Sequence, residues 1–571
     1  MHPSPLSTSP IMHDVSQPSI HDMQAPVLKQ RISGVSMAAF SAFGGILLGY
    51  DTGTIAGILQ MKSWLRAFGK PVGAPTAETL ESPHFVLHTA IESVVVSMLF
   101  AGTFFGALLA APTADILGRR TGIMLSCIVF CLGVALQAGA SSSGTALPTF
   151  ILGRFFAGVG VGLISTLIPM YQSECAPKWI RGAVISCYQW AVTIGIVLAS
   201  VTNNATKDRP GDDAWQIPIC VQFVWATVLF VGMLWLPESP RWLVGRGRLD
   251  AAVESLSRLT GQTRDCPRVE SELHEIHIAI NSDRVLGQHN YKDCFRPSRN
   301  KAALRTLTST LVLVLQQLTG IVFVFSYGTT FFANVGVRNP FLVQVAVNVV
   351  QMGMTIPGIW GVEKLGRRPL LLWGASVMCI CAYLVALLGV TTSVHDIAPQ
   401  RAVIALVCVY IAAYAATWGP VGWVVPNEII PLSIRAKAMS LSVAVHWLST
   451  WVVSFASPYL VNSGPGDAEL GIKIFFIWGS TAAVCILFTY VCVPETKGLS
   501  LEEIDVLYTA SAVPMRNARS RYEALVRRSG ASSAVESDAG SSESQAEEKA
   551  VDALKAGERM NTVERATVVQ A

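Results

Sequence analysis

The chain has 571 residues, 51% of them hydrophobic and only 14% charged, with a formal net charge of +4 and a mean hydropathy of +0.46. A soluble chain of this size carries about a quarter charged residues, so an ordinary soluble domain is excluded. The positive excess is too small and too dispersed for a nucleic-acid surface. The apolar residues instead fall in runs of about 20, the length that crosses a hydrocarbon core, and predict a polytopic, all-α membrane protein in a lipid bilayer.

Residues 1–33 are rich in Ser, Pro and His and lack an apolar core, so no cleavable signal peptide is expected and the first span serves as its own insertion signal. Twelve spans follow, near 34–58, 91–113, 121–140, 147–170, 182–203, 217–236, 306–333, 341–362, 369–390, 401–426, 437–461 and 471–493. An even count places both termini on one side. Basic clusters at Arg119-Arg120, Lys178 with Arg181, Arg241 to Arg248, Lys364 with Arg367-Arg368, and Arg435 with Lys437 all follow even-numbered spans. By the positive-inside rule those loops and both termini are cytoplasmic.

The organisation expected is therefore a disordered cytoplasmic segment 1–33, a six-helix half 34–236, a cytoplasmic linker 237–305, a second half 306–493 and a mostly disordered cytoplasmic tail 494–571. "GRLDAAVESLSRLTG" and "RVESELHEIHIAI" in the linker have helical periodicity. After about 510 the tail has too few apolar residues for a core. "NNAT" at 203–206 places a glycosylation sequon, Asn204, in the outer loop after span five. The 12 cysteines lie mostly within apolar runs and read as small hydrophobes. Cys127 and Cys131 share a helix face, but nothing near them in sequence completes a metal site. No nucleophile–base set or phosphate loop is present, so neither an enzyme nor a cofactor is expected.

The two halves echo each other. "DILGRR" (Asp115 to Arg120) recurs as "EKLGRR" (Glu363 to Arg368), "ECAPKWIR" (Glu174 to Arg181) as "EIIPLSIR" (Glu428 to Arg435), and "PESPR" at 237–241 as "PETKG" at 494–498. Three echoes in register indicate duplication of a six-helix unit, the plan of transporters whose substrate binds at the midplane between parallel repeats. Asp115, Arg119, Arg120, Glu174 and Arg181, with Glu363, Arg367, Arg368, Glu428 and Arg435, stand at helix ends where such charges suit the macrodipole. Exposed pairs of this kind contribute about 0–1 kcal/mol each. Their repetition in both halves favours latches that break as the halves rock.

Asp51 lies in "GILLGYDTGTIAG", inside the first apolar run. A carboxylate at that depth faces the interior and has a partner, and Arg154 in span four is the charged residue best placed to supply it. A structural ion pair and a proton switch both fit. Buried amides Gln189, Gln316 and Gln317 offer directional hydrogen bonds of the kind a sugar reads, or serve as glue between helices.

"GYDTG", "GRFFAGVGVG", "PMYQSECAPKWIRGA", "PESPRWL", "QQLTG", "EKLGRRP", "WGPVGWVVPNEIIP" and "PETKG" together resemble the sugar porter family of the major facilitator superfamily, over about 34–505, and most closely fungal hexose carriers. The resemblance implies twelve transmembrane helices in two pseudo-repeats and alternating-access sugar transport at the plasma membrane by a monomer. It makes Gln189, Gln316 and Gln317 sugar ligands and Trp423 a stacking platform at the inner gate, with Trp447 an accessory contact. It pairs Asp51 with Arg154 for proton symport, since burial and a neighbouring cation act oppositely on an acid's affinity for its proton. The family pattern is broken at Val322, where Asn is usual, at Ser326-Tyr327 in place of a Tyr pair, at Gln351 for Asn, and at His446 in span eleven. A hexose is the first choice of substrate. The altered pocket also suits a disaccharide such as sucrose or a polyol, and a facilitator or a sugar sensor are the other readings.

Overall fold

The computed structural model describes residues 40, 42–72, 84–140, 145–176, 181–285, 291–296, 301–392, 397–431, 434–464, 466–499, 501–510 and 520. The expected disordered segments 1–33 and 511–571 fall outside them, apart from residue 520. The N-terminal half comprises α1 (Phe43–Ile58), the short α2 (Lys62–Phe68), α3 (Thr89–Leu117), α4 (Arg119–Ala138), α5 (Ala146–Cys175), α6 (Arg181–Thr206) and α7 (Asp213–Trp235). Three short helices follow, α8 (Pro240–Gly245), α9 (Leu249–Thr260) and α10 (Pro267–Val285); the linker's periodicity predicts the last two, and α8 precedes them. The second half comprises α11 (Ala302–Leu318), α12 (Ile321–Asn334), α13 (Pro340–Leu365), α14 (Arg367–Thr391), α15 (Ile397–Ala416), α16 (Trp418–Ile429), α17 (Arg435–Val461) and α18 (Ile474–Cys492), and α19 (Leu501–Ala510) follows it.

Among the described residues ten segments are long and apolar enough to cross a membrane; with α1 and α6 the helices are consistent with twelve spans. Helices α1 and α6 pack tightly together because they are lined by glycine. A Cβ at Gly49 would meet the Val192 carbonyl, and one at Gly195 the Ile46 carbonyl, so small residues set the distance between the helices. Among the described residues the departure from helix is one antiparallel pair, β1 (Lys70–Val72) with β2 (His84–Val86), in the loop between α2 and α3.

Two spans expected to be continuous are broken. Span seven divides into α11 and α12 at Gly320, whose φ of +89° is left-handed and whose missing side chain admits Trp478. The carbonyls freed there are met by hydroxyls, Thr481 Oγ1 to Leu318 O at 2.6 Å and Tyr410 to Thr319 O at 2.5 Å. Span ten divides into α15 and α16 at Thr417. Irregular backbone at membrane depth is tolerated where protein buries it or it lines a cavity.

The sequon also needs correction. Asn204 and Thr206 lie in the last turn of α6, not in a loop. The helix runs on because Asn203 donates to Thr54 O of α1 at 2.9 Å, while Asn204 Oδ1 accepts from Lys207 at 3.0 Å.

Candidate functional site

At one end of the bundle the duplicated motifs build the same structure twice. Arg119 donates to Glu174 at 3.0 Å and to Ala114 O at 3.1 Å; Arg367 donates to Glu428 at 2.7 Å and to Val362 O at 3.0 Å. Ser239 closes the first set by donating to Glu174, and Thr496 closes the second by donating to Glu428 at 2.6 Å. The acids of "PESPR" and "PETKG" explain the third echo. Glu238 accepts from the backbone N–H of Arg119 and Arg120, and Glu495 from those of Arg367 and Arg368. Each carboxylate thus occupies a helix N-terminus, where unpaired N–H groups and the macrodipole favour it. Asp115 and Glu363 are mostly exposed and stand 3.9 and 3.8 Å from their arginines. Arg120 and Arg368 donate to carbonyls of α7 and α18, and Arg435 to Ile430 O at 3.2 Å. The Arg181 side chain lies outside the described residues. Each of these motif contacts joins parts of one half.

The halves meet at the opposite end. Gln60 donates to Thr330 at 3.1 Å, Ser93 to Phe455 O, Asn462 to Glu92 at 2.9 Å, Thr89 to Asp467 at 2.7 Å and Lys207 to Asn339 at 3.1 Å. Nearer the middle, Asn348 Nδ2 donates to Ser200 Oγ at 2.5 Å and accepts from Gln344. Helix α17 lies on α3, α13 on α6, and α12 on α1. This end is sealed.

Within the N-terminal half, Arg154 Nη1 donates to Asp51 Oδ1 at 3.0 Å, with both side chains buried. Gln222 of α7, 1% exposed, faces the same carboxyl, yet neither of its amide atoms makes a well-formed hydrogen bond. Sequence reading passed over it as one polar residue in an apolar run. The signal for it was its position opposite a buried acid, which only folding supplies.

In the second half, the break in span ten is held by Gln316, whose Nε2 donates to Trp418 O at 2.7 Å and to Gly419 O at 3.3 Å. Gln317 Nε2 lies 3.3 Å from Gln316 Oε1 and 3.2 Å from His446 Nδ1. The His446 ring stands edge-on to Trp423 at 5.1 Å and to Trp447 at 5.0 Å between centroids. Gln316, Gln317, His446, Trp423 and Trp447 therefore form one contiguous polar–aromatic wall on α11, α16 and α17. Gln351 Oε1, Ser326 Oγ and Trp447 Nε1 are buried without a hydrogen-bond partner. Buried polar atoms of this kind cost free energy until something pairs with them, and a polyhydroxylated ligand offers both donors and acceptors. Gln189 on α6 is half-buried, and no described contact ties it to the wall. Val322 is buried. Tyr327 points elsewhere, donating to Ser454 O at 2.8 Å and lining a small cavity beside Glu92.

The sequence profile of the "Sugar (and other) transporter" family matches residues 37–508. The chain is 48% identical to the major facilitator-type transporter ecdD of Aspergillus rugulosus, over 83% of this chain and 87% of that one. It is 40% identical to the high glucose sensor RGT2 of Saccharomyces cerevisiae, over 84% of this chain but only 61% of the relative. Among solved structures it resembles the proton:xylose symporter XylE of E. coli bound to 6-bromo-6-deoxy-D-glucose, with 27% identity, a TM-score of 0.68, and coverage of 84% of this chain and 99% of that one. A twelve-span duplicated fold, a central polar–aromatic wall and a profile match over most of its length agree: the chain belongs to the sugar transporter family of the major facilitator superfamily.

Proposed function

We propose that this protein carries a hexose-class sugar across the plasma membrane in symport with a proton, by alternating access, with the arginine motifs and both termini in the cytoplasm. The observation that carries the coupling is the Asp51–Arg154 pair, with both side chains buried in the amino-terminal half. A charge pair at that depth is costly unless function retains it. Protonation of Asp51 releases Arg154 and lets the half relax around bound sugar; deprotonation restores the pair and returns the empty carrier.

Sugar recognition is assigned to Gln189, Gln317, Gln351, Ser326 and His446, with Trp423 and Trp447 as apolar surfaces for the C–H face of the ring. Gln316 acts by holding the break in span ten. Val322 and Tyr327 shape the closure of α12 over the site. With its outer end sealed, the arrangement is one stage of the cycle. The arginine–glutamate sets, one in each half, do not bridge the halves as latches would; they act by fixing helix ends within a half.

A sensor is the second reading, favoured by the similarity to RGT2. Uptake of a labelled sugar panel in cells lacking their own carriers, with and without a protonophore, separates the two. Protonophore-sensitive accumulation supports symport, equilibration alone a facilitator, and absence of uptake from a carrier present at the cell surface a sensor.

A further inference from the structure

Glu92 stands in the first turn of α3, at the sealed outer end, and is 7% exposed. Its Oε2 accepts from Asn462 Nδ2 at 2.9 Å, a bond that joins the two halves. Its carboxyl lines a small cavity with Tyr327, Thr330 and Phe331 of α12 and Pro458 of α17. The basic groups near it are committed elsewhere. Arg154 of α5 acts on Tyr327 but is paired with Asp51. His88, the N-cap of α3, accepts from Ala90 N at 3.2 Å. A further charge that acts on it is negative: Asp467, in the segment after α17, which accepts from Thr89 at 2.7 Å and from Gly464 N at 3.0 Å. From α12 Glu92 faces the Tyr327 phenol, whose hydroxyl is given to Ser454 O.

An alternating carrier must open and reseal this contact in every cycle. Sealing a carboxylate from water, with an amide as its donor and a second carboxylate nearby, carries a desolvation cost that sealing a neutral acid does not. Closure over Glu92 is therefore linked to uptake of a proton. We propose that Glu92 is a second proton-binding site, separate from Asp51, that gates the outer end. External water supplies the proton as the gate shuts, Oε1 takes it while Oε2 keeps its bond to Asn462, and it returns to external water when the gate reopens. No net charge crosses the membrane by this step, so the site adds nothing to the proton stoichiometry assigned to Asp51.

The test reads the gate directly. Val461→Cys places a thiol on the cavity wall. Its labelling by a membrane-impermeant maleimide, resolved by peptide mass spectrometry and normalised to denatured protein at each pH, measures opening in the full-length protein in lipid nanodiscs. With Glu92 present, normalised labelling should rise with pH, by up to about tenfold per pH unit where the acid titrates. Glu92→Gln keeps the acceptor for Asn462 without the proton, so labelling should stay low at every pH, while Glu92→Asp should keep a pH dependence. The same series in Asp51→Asn should keep its dependence on pH, whatever the change in overall level. The proposal is overturned if labelling with Glu92 present does not vary with pH, if Glu92→Gln keeps the parental profile, or if Asp51→Asn abolishes the dependence.

Discussion

Arg154 and Asp51 share a single hydrogen bond, Nη1 to Oδ1 at 3.0 Å, and leave Asp51 Oδ2 with Arg154 Nε and Nη2 buried and unmatched. A fully satisfied ion pair is a fixture. One holding half of its bonds, beside an amide that is also unmatched, has a second arrangement within reach. Gln222 has both a donor and an acceptor to offer, so it can serve Asp51 with or without its proton.

Asp51→Asn mimics the protonated form permanently. Accumulation against a gradient should vanish and its pH dependence flatten, while sugar exchange survives because the wall on α11, α16 and α17 is untouched. Arg154→Ala leaves a buried acid uncompensated, so it should also transport without coupling, and less protein should reach the membrane. Accumulation ratio and proton influx, measured together, check both. A wild-type carrier that neither concentrates sugar nor admits protons would make the pair structural.

Gln189→Ala and Gln317→Ala each delete hydrogen bonds to a neutral ligand, worth about 0.5–1.5 kcal/mol, or roughly two- to tenfold in apparent affinity. Gln317→Ala should reach the upper end, because His446 Nδ1 loses a neighbour at 3.2 Å. Gln316→Ala should differ in kind. It removes the donor to Trp418 O and Gly419 O, so folded yield should fall before affinity does. Concentration-dependent uptake, with surface protein quantified in parallel, separates the two effects.

The pocket's departures from the family pattern predict its selectivity. Val322→Asn with Gln351→Asn returns short amides where sugar hydroxyls are read, and relative uptake should move towards hexoses. Competition across a panel of hexoses, disaccharides and polyols provides the check. An unchanged ranking would place specificity elsewhere, with Asn348 and Ser200 the next positions to vary.

Glu428→Gln keeps an acceptor for Thr496 and Arg367 but removes the charge. Losing about 1.5 kcal/mol from the set that fixes these helix ends loosens the half that must move as a unit, so maximal velocity should fall while apparent sugar affinity holds. Glu174→Gln should do the same in the other half. Loss of affinity without loss of velocity would exclude this framework role.

Tags inserted within 245–300 and after 510 should both be reachable only from the cytoplasm. The prediction rests on the basic loops and the even number of spans, and extracellular labelling of either tag would overturn the assigned orientation.

The membrane character, the span positions and the duplication were legible in the sequence because each rests on local chemistry: runs long enough to cross a bilayer, and motifs that repeat in order. Asp51 was conspicuous for the same reason, as an acid where solvation is unavailable. What remained hidden depends on contacts distant in the chain. The breaks at Gly320 and Thr417 become tolerable only because Tyr410, Thr481 and Gln316 meet the exposed carbonyls. Glu238 and Glu495 find their roles at helix N-termini that begin more than a hundred residues earlier. The sequon reads as a loop until Asn203 is seen bonded to α1. Glu92 is an ordinary first-turn acid by sequence, and only the approach of Asn462 from the other half seals it from water. Hydrophobic periodicity reports what each segment needs; which distant polar group satisfies it is decided when the halves close.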